Sequence, residues 1–358
     1  MTATRTRLDP SVFDLPVEKM RAGWYTDAYF NHTRAALLED GRHPVVVMQV
    51  FQKKHSYLGG MDEAIAILKL CADRFDDLEV SALHDGDAVE PFETVMTIEG
   101  DYTTFAHLET VYLGVLARRT LITTNTVNVL RAANGKPIIF MPARHDHHRV
   151  QTGDGYAAYV AGQIVGAEVG VTTDEQASWW GGRGLGTVPH ALIAAYGGDT
   201  VLAATKFAGW APPDMSVTVL IDFENDSVRT ALEVADALGP RLWGVRLDTS
   251  ESLVDRSLWG ELGDFKPTGV NERLVRKLRE ALDAAGHDAV RVVVSGGFTV
   301  DKIREFEERG VPVDAYGIGS SLIRGSNDFT ADIVVTDGEP SAKVGRWLRS
   351  NPRLERVS

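Results

Sequence analysis

The sequence predicts an α/β protein: a parallel-stranded α/β barrel flanked by a small α/β domain assembled from both ends of the chain. From about residue 120 onward, short β-branched runs alternate with amphipathic windows, the pattern of βα units around a parallel sheet. Polar or glycine-rich residues follow each of those runs, whereas the first 115 or so residues lack the alternation. With 358 residues and 44% apolar content, the chain exceeds a usual single domain and can bury a sizeable core.

Residues 45–51 form an apolar run, 61–75 read as a helix, and 78–99 as short β segments broken by His84-Asp-Gly-Asp87. The barrel strands are expected over 137–141, 217–222, 242–247, 290–295 and 315–319. Helices are expected over 154–165, 188–196, 227–238, 271–285 and 299–309. In the 271–285 window Leu274, Val275, Leu278 and Leu282 share one helical face. Asn271 and Thr299 stand at N-cap positions. Residues 332–335 and 342–344, around a turn at Asp337-Gly338, read as a hairpin. The small domain is therefore placed at 1–115 and 328–358, the barrel at 116–327.

The net charge of −13 argues against a nucleic-acid partner, because phosphate backbones are bound by clustered Lys and Arg. An anionic small substrate stays compatible through a local basic pocket. No apolar run approaches the roughly 18 residues of a membrane span, and the N-terminus lacks the apolar core of a secretion signal. A single cysteine, Cys71, excludes an internal disulfide and points to a reducing cytoplasm.

Ligands of parallel α/β folds bind at the carboxyl ends of strands, so the polar residues there are the candidate site. Ser295-Gly296-Gly297 and Gly317-Ile-Gly319-Ser320-Ser321 each follow a strand, and their backbone N–H groups suit a phosphate; ordinary glycine turns are the alternative. Arg246 and Asp248 alternate on one strand end and project the same way, either to hold an anion and a hydroxyl or as a structural ion pair. Asp222 closes the preceding strand, as a ligand of Mg²⁺ or a hydroxyl, or as a helix cap. His145-Asp-His-His148 looks like a metal cluster, yet adjacent side chains diverge, which favours a polar loop facing substrate or plain surface. Arg144 is the first basic residue after its strand. His190, in GLGTVPHALI, follows a proline and opens a helix; taken alone it reads as structural.

These pieces in this order resemble the nicotinate phosphoribosyltransferases of the type II phosphoribosyltransferase group. The resemblance runs through YTDAYF, LHDGDAV, TIEGDYTTFAHLET, AYVAG, GTVPHALI, GVRLDT, VVSGGF and YGIGSSL, and so covers most of the chain. It implies an irregular, TIM-like barrel beside a sandwich domain completed by the C-terminal segment. It implies transfer of a phosphoribosyl group from 5-phosphoribosyl-1-diphosphate to nicotinate, with Mg²⁺ and with ATP as co-substrate. The ATP coupling runs through a transient phosphohistidine, here His190.

By the same resemblance the SGG and GIGSS loops hold the 5-phosphate through Ser295, Gly296, Gly297, Gly317, Gly319 and Ser320. Arg144 reaches that phosphate or the carboxylate. Asp222, Arg246 and Asp248 line the base and ribose, Asp222 and Asp248 as catalytic residues beside His190, with Asp248 also near the metal and Thr187 a further substrate contact. Tyr29 stacks on the pyridine ring from a neighbouring subunit, implying a homodimer; a buried sandwich-domain aromatic is its alternative reading. The chain departs from the family pattern at FMPARHDHH, where His145 stands in place of a second arginine. That loss weakens bidentate recognition of an anion and leaves the base open between nicotinate, nicotinamide and another heterocycle. A non-catalytic relative that senses the diphosphate is the remaining alternative. The cysteine-rich zinc element of some relatives is absent, so no structural zinc is expected.

Overall fold

The computed structural model describes residues 6–261 and 263–357. Residues 1–5, in the expected small domain and the stretch read for a secretion signal, Ser358, also in that domain, and Leu262, in the expected barrel, lie outside the described residues. The chain divides into two compact units, 1–127 with 156–164 and 325–358, and 128–155 with 165–324.

The first unit is built on a six-stranded antiparallel sheet, in the order Glu339–Pro340, Phe329–Thr336, Val45–Gln52, Thr94–Asp101, Glu79–Ala82 and Glu355–Arg356. The apolar run 45–51 lies in strand Val45–Gln52, which buries most of its residues and has neighbours on both sides. Helix Met61–Cys71 packs into the same core, burying Ile65, Ile67 and Leu68. It ends four residues earlier than the sequence suggested, because Ala72 turns to extended backbone and a separate helical turn forms at Phe75–Asp77. The terminal hairpin turns at Asp337 and Gly338, both with positive φ, as a tight hairpin turn demands. Its return strand is Glu339–Pro340 instead of 342–344, which carry no strand.

The second unit is a parallel sheet in the order Val169–Val171, Ile138–Phe140, Ala315–Ile318, Arg291–Val294, Leu242–Leu247 and Val217–Leu220. Val188 adds a further parallel bridge to Val219. Six strands in this open order make a half-barrel, the irregular form of the expected barrel. The four residues of Val217–Leu220 and of Ala315–Ile318 are all buried, as in a sheet covered on both faces. All five expected strands are present within a residue or two. Val169–Val171 escaped notice because a three-residue run containing glycine carries almost no pattern.

The helices follow the amphipathic windows. Ser227–Leu238 has the expected bounds, and Glu272–Ala284 buries Leu274, Val275, Leu278 and Leu282 on one face. Asn271 accepts the Leu274 N–H at 3.1 Å and Thr299 the Lys302 N–H at 3.4 Å, so both expected caps form. Helix His190–Ala195 is shorter than the window 188–196, since Val188 is drawn into the sheet and Pro189 serves as the cap residue. These ends aim the candidate residues at one rim of the second unit.

Candidate functional site at the carboxyl ends of the parallel strands

His190 is the first residue of its helix, held there by the Val188–Val219 bridge two residues earlier. Its Nε2 lies 2.9 Å from Oδ1 of Asp222, just beyond strand Val217–Leu220. The carboxylate side chain is 7% exposed and the imidazole 43% exposed. This hydrogen bond raises the pKa of His190 above its ordinary value, against the opposing effect of burial. The helix-cap alternative for Asp222 does not hold. Asp226, not Asp222, occupies the N-cap position of the following helix, and the Ser227 N–H donates to Asp255 at 3.0 Å.

Arg246 comes from the end of the next strand. Its Nη1 donates to Thr187 Oγ1 at 3.3 Å and its Nη2 lies 3.8 Å from Asp248 Oδ2, a loose pair. Burial lowers the pKa of Arg246, with Asp248 and Asp222 opposing the shift and Arg144 reinforcing it. Arg246 Nε is buried with no hydrogen-bond partner among the described residues, and so is Thr249 Oγ1 two residues past the strand. Buried polar atoms are nearly always paired, so two orphans at one strand end make it a candidate ligand site. Thr249 carries no signal of its own in the sequence.

Ser295 donates to Asp248 Oδ1 at 2.8 Å and to the Leu247 carbonyl at 3.1 Å, binding the SGG loop to the neighbouring strand end. Gly296 and Gly297 have φ of +85° and +70°, a conformation that favours glycine. A Cβ on Gly296 would sit 3.3 Å from Asp248 Oδ1. In the second loop, a Cβ on Gly317 would meet Met141 Cε at 2.7 Å, and one on Gly319 would meet His145 Cε1 at the same distance. Ser321 donates to the Phe298 carbonyl at 2.9 Å, joining the two glycine loops, while Ser320 stands half-buried beside it.

Arg144 and His145 are exposed on the turn after Ile138–Phe140, and the guanidinium of Arg144 has no partner among the described residues. The rings of His147 and His148 stack at 4.2 Å, and no group of three metal-ligating side chains forms among the described residues. Tyr29 lies in the first unit. It is 59% exposed, packs on Phe30 and donates to Asp27 at 3.4 Å, which excludes the buried-aromatic alternative. The second unit thus brings together Thr187, His190, Asp222, Arg246, Asp248 and Ser295, with both glycine loops on the same edge.

Comparison with known proteins gives a consistent picture. A profile of the quinolinate phosphoribosyl transferase N-terminal domain matches residues 27–120. A nicotinate phosphoribosyltransferase of Mycobacterium tuberculosis, pncB1, is 31% identical over 281 residues, 76% of this chain and 57% of that protein. Its counterpart pncB2 is 25% identical over 273 residues, 74% of this chain and 53% of that protein, so the chain spans a little over half the length of these curated relatives. The crystal structure of a nicotinate-nucleotide pyrophosphorylase from Pyrococcus furiosus superposes with a TM-score of 0.79 at 30% identity, over 96% of this chain and 85% of that one. Human nicotinic acid phosphoribosyltransferase shares the fold at a TM-score of 0.66 and 15% identity, over 90% and 77% of the two chains. No helix among the described residues is long and apolar enough to cross a membrane.

Proposed function

Because this chain belongs to the type II phosphoribosyltransferase family, we propose that it joins nicotinate to 5-phosphoribosyl-1-diphosphate, giving nicotinate mononucleotide and pyrophosphate. Breaking the bond from ribose C1 to the diphosphate develops positive character on the sugar and negative charge on the leaving group. Positioning and charge stabilisation therefore outweigh acid–base work. The glycine loops receive the 5-phosphate through their backbone N–H groups. Arg246 and Asp248 flank the ribose and diphosphate, and Arg144 receives the carboxylate of the base.

The observation that carries this reading furthest is the His190–Asp222 pair at 2.9 Å. With Asp222 accepting from Nε2–H, the lone pair of the imidazole lies on Nδ1, free to take the γ-phosphoryl group of ATP as ADP leaves. The half-exposed ring leaves room for that encounter. Asp248, a quarter exposed and with one oxygen taken by Ser295, fits as a single protein ligand for a Mg²⁺ carried on the diphosphate. When bound, the ion neutralises charge building on the leaving group. Tyr29, exposed in the first unit, stacks on the pyridine ring of a partner subunit's site in a homodimer.

The test is pyrophosphate release from the diphosphate with nicotinate, nicotinamide and quinolinate in parallel, each with and without ATP. Turnover with nicotinate that rises with ATP is the expected result; silence with nicotinate sinks the assignment. Quinolinate is the second reading, favoured by the quinolinate-type match over residues 27–120. Its two carboxylates ask for more cationic groups than Arg144 alone supplies beside a histidine at position 145.

A further inference from the structure

Glu251 and Lys302 lie at the SGG loop and have no part in the roles given above. Glu251 is exposed, three residues past Asp248, and its carboxylate rests against Gly297, where a Cβ would collide with it. Gly297 holds a left-handed φ of +70°, so the loop backbone is open on that side to whatever sits there. In the present structure the occupant is an anion supplied by the chain itself.

Lys302 is the third residue of helix Val300–Glu308, one turn after the loop. Its ammonium lies 4.3 Å from the centroid of Phe298 and 6.0 Å from that of Phe306. Burial lowers its pKa, with Glu251 the leading influence in the other direction. Its ammonium makes no ion pair among the described residues. An ammonium removed from water needs compensation, and aromatic faces supply only part of it. A cation short of an ion-pair partner, a left-handed glycine and a resident carboxylate flank the same loop, and that combination suits a phosphate better than a turn.

We propose that Lys302 binds the 5-phosphate of the phosphoribosyl substrate, and that the Glu251 carboxylate holds the same place until the phosphate displaces it. The inference rests on the phosphoribosyl-transfer reading, and deepens it by naming a cation for the phosphate end and an internal competitor. A tethered competitor lowers apparent affinity by the fraction of time it occupies the site, so the two residues act with opposite sign.

Calorimetric titration with ribose 5-phosphate, which has no leaving group, reads the site without turnover. Lys302→Met keeps the aliphatic stem on Phe298 and Phe306 and removes the charge; Kd is expected to rise about tenfold or more. Lys302→Arg restores most of the loss. Glu251→Gln keeps the shape and removes the anion, and Kd is expected to fall roughly two- to fivefold, the scale of an exposed ion pair. An unchanged Kd in both Lys302→Met and Glu251→Gln, or weaker binding by Glu251→Gln, overturns the proposal. Should Lys302→Met fail to fold, the sign of the Glu251→Gln effect decides alone. If the variants respond as stated while the wild type turns over no base, the inference stands and the nicotinate assignment falls. Turnover by the wild type with both variants binding normally has the reverse meaning. A wild type that does not bind ribose 5-phosphate overturns the assignment of the loops, and this inference with it.

Discussion

Replacing Asp222 by asparagine tests the central pair of the site. The two side chains meet at 2.9 Å, one almost fully buried and the other 43% exposed. A hydrogen bond to a charged group contributes about 1.5–3 kcal/mol when buried. Exposure of the imidazole brings the figure toward that of a surface pair, ~1 kcal/mol, or about fivefold in an equilibrium constant. Asparagine keeps the shape and an acceptor oxygen but not the charge. Because the hydrogen bond to Asp222 raises the folded-state pKa of His190 above 6.5, its contribution is fully present below that value. It is lost as the pH rises through the raised folded value. Urea unfolding of the wild type and Asp222→Asn at about pH 5.5 and about pH 9 reads the difference. The variant should be less stable by ~1 kcal/mol at the lower pH, with the gap closing at the higher. A gap of the same size at both, or one that widens with pH, refutes the charge assignment of the pair.

Further outcomes follow from the same geometry. His190→Ala should abolish ATP hydrolysis and ATP stimulation while a slow uncoupled transfer persists; unchanged stimulation in a coupled assay rejects the phosphohistidine. Gly297→Ala places a side chain at φ +70° against Glu251, so it should cost roughly 1–2 kcal/mol in chemical unfolding and raise KM for the diphosphate. Arg246→Met leaves Asp248 without its cation, and kcat/KM should fall by about a hundredfold, with a loss under threefold counting against a role at the diphosphate. Tyr29→Ala should change unfolding stability by less than about 0.5 kcal/mol, because the ring is 59% exposed, yet raise KM for the base.

The strand ends of the second unit were legible because each depends on local chemistry. β-branched runs, a cap such as Asn271 and a polar residue at the end of each strand announce themselves within a few positions. Helix Ser227–Leu238 could be bounded to the residue for that reason. What stayed hidden depends on contacts distant in the sequence. The partnership of His190 with Asp222 spans 32 positions and that of Ser295 with Asp248 spans 47, and neither spacing has a sequence signature. Arg246 and Asp248 could be placed on one face from the strand period alone, but only the structure shows that Arg246 Nε has no partner among the described residues. Helix Glu109–Ala132 escaped the reading because its apolar residues do not keep to a clean stripe. Helix Thr200–Trp210 was missed likewise, being apolar over most of its circumference.

The central strand Val45–Gln52 finds one of its two neighbours at the far end of the chain. The Val45 N–H donates to Asp337 across 292 positions, and Gln49 accepts from the Arg349 N–H across 300. On a ribosome adding about 5–20 residues per second, that neighbour emerges some 15–60 s after the strand it must join. For that interval one edge of an apolar strand is open to any other extended chain, the condition under which sheets mispair. Newly made protein therefore passes through a period in which the second unit's parallel sheet is already synthesised while the first unit's sheet still lacks its last strands. Chaperone dependence, or aggregation on fast overexpression, should trace to residues 45–52, far from the chemistry.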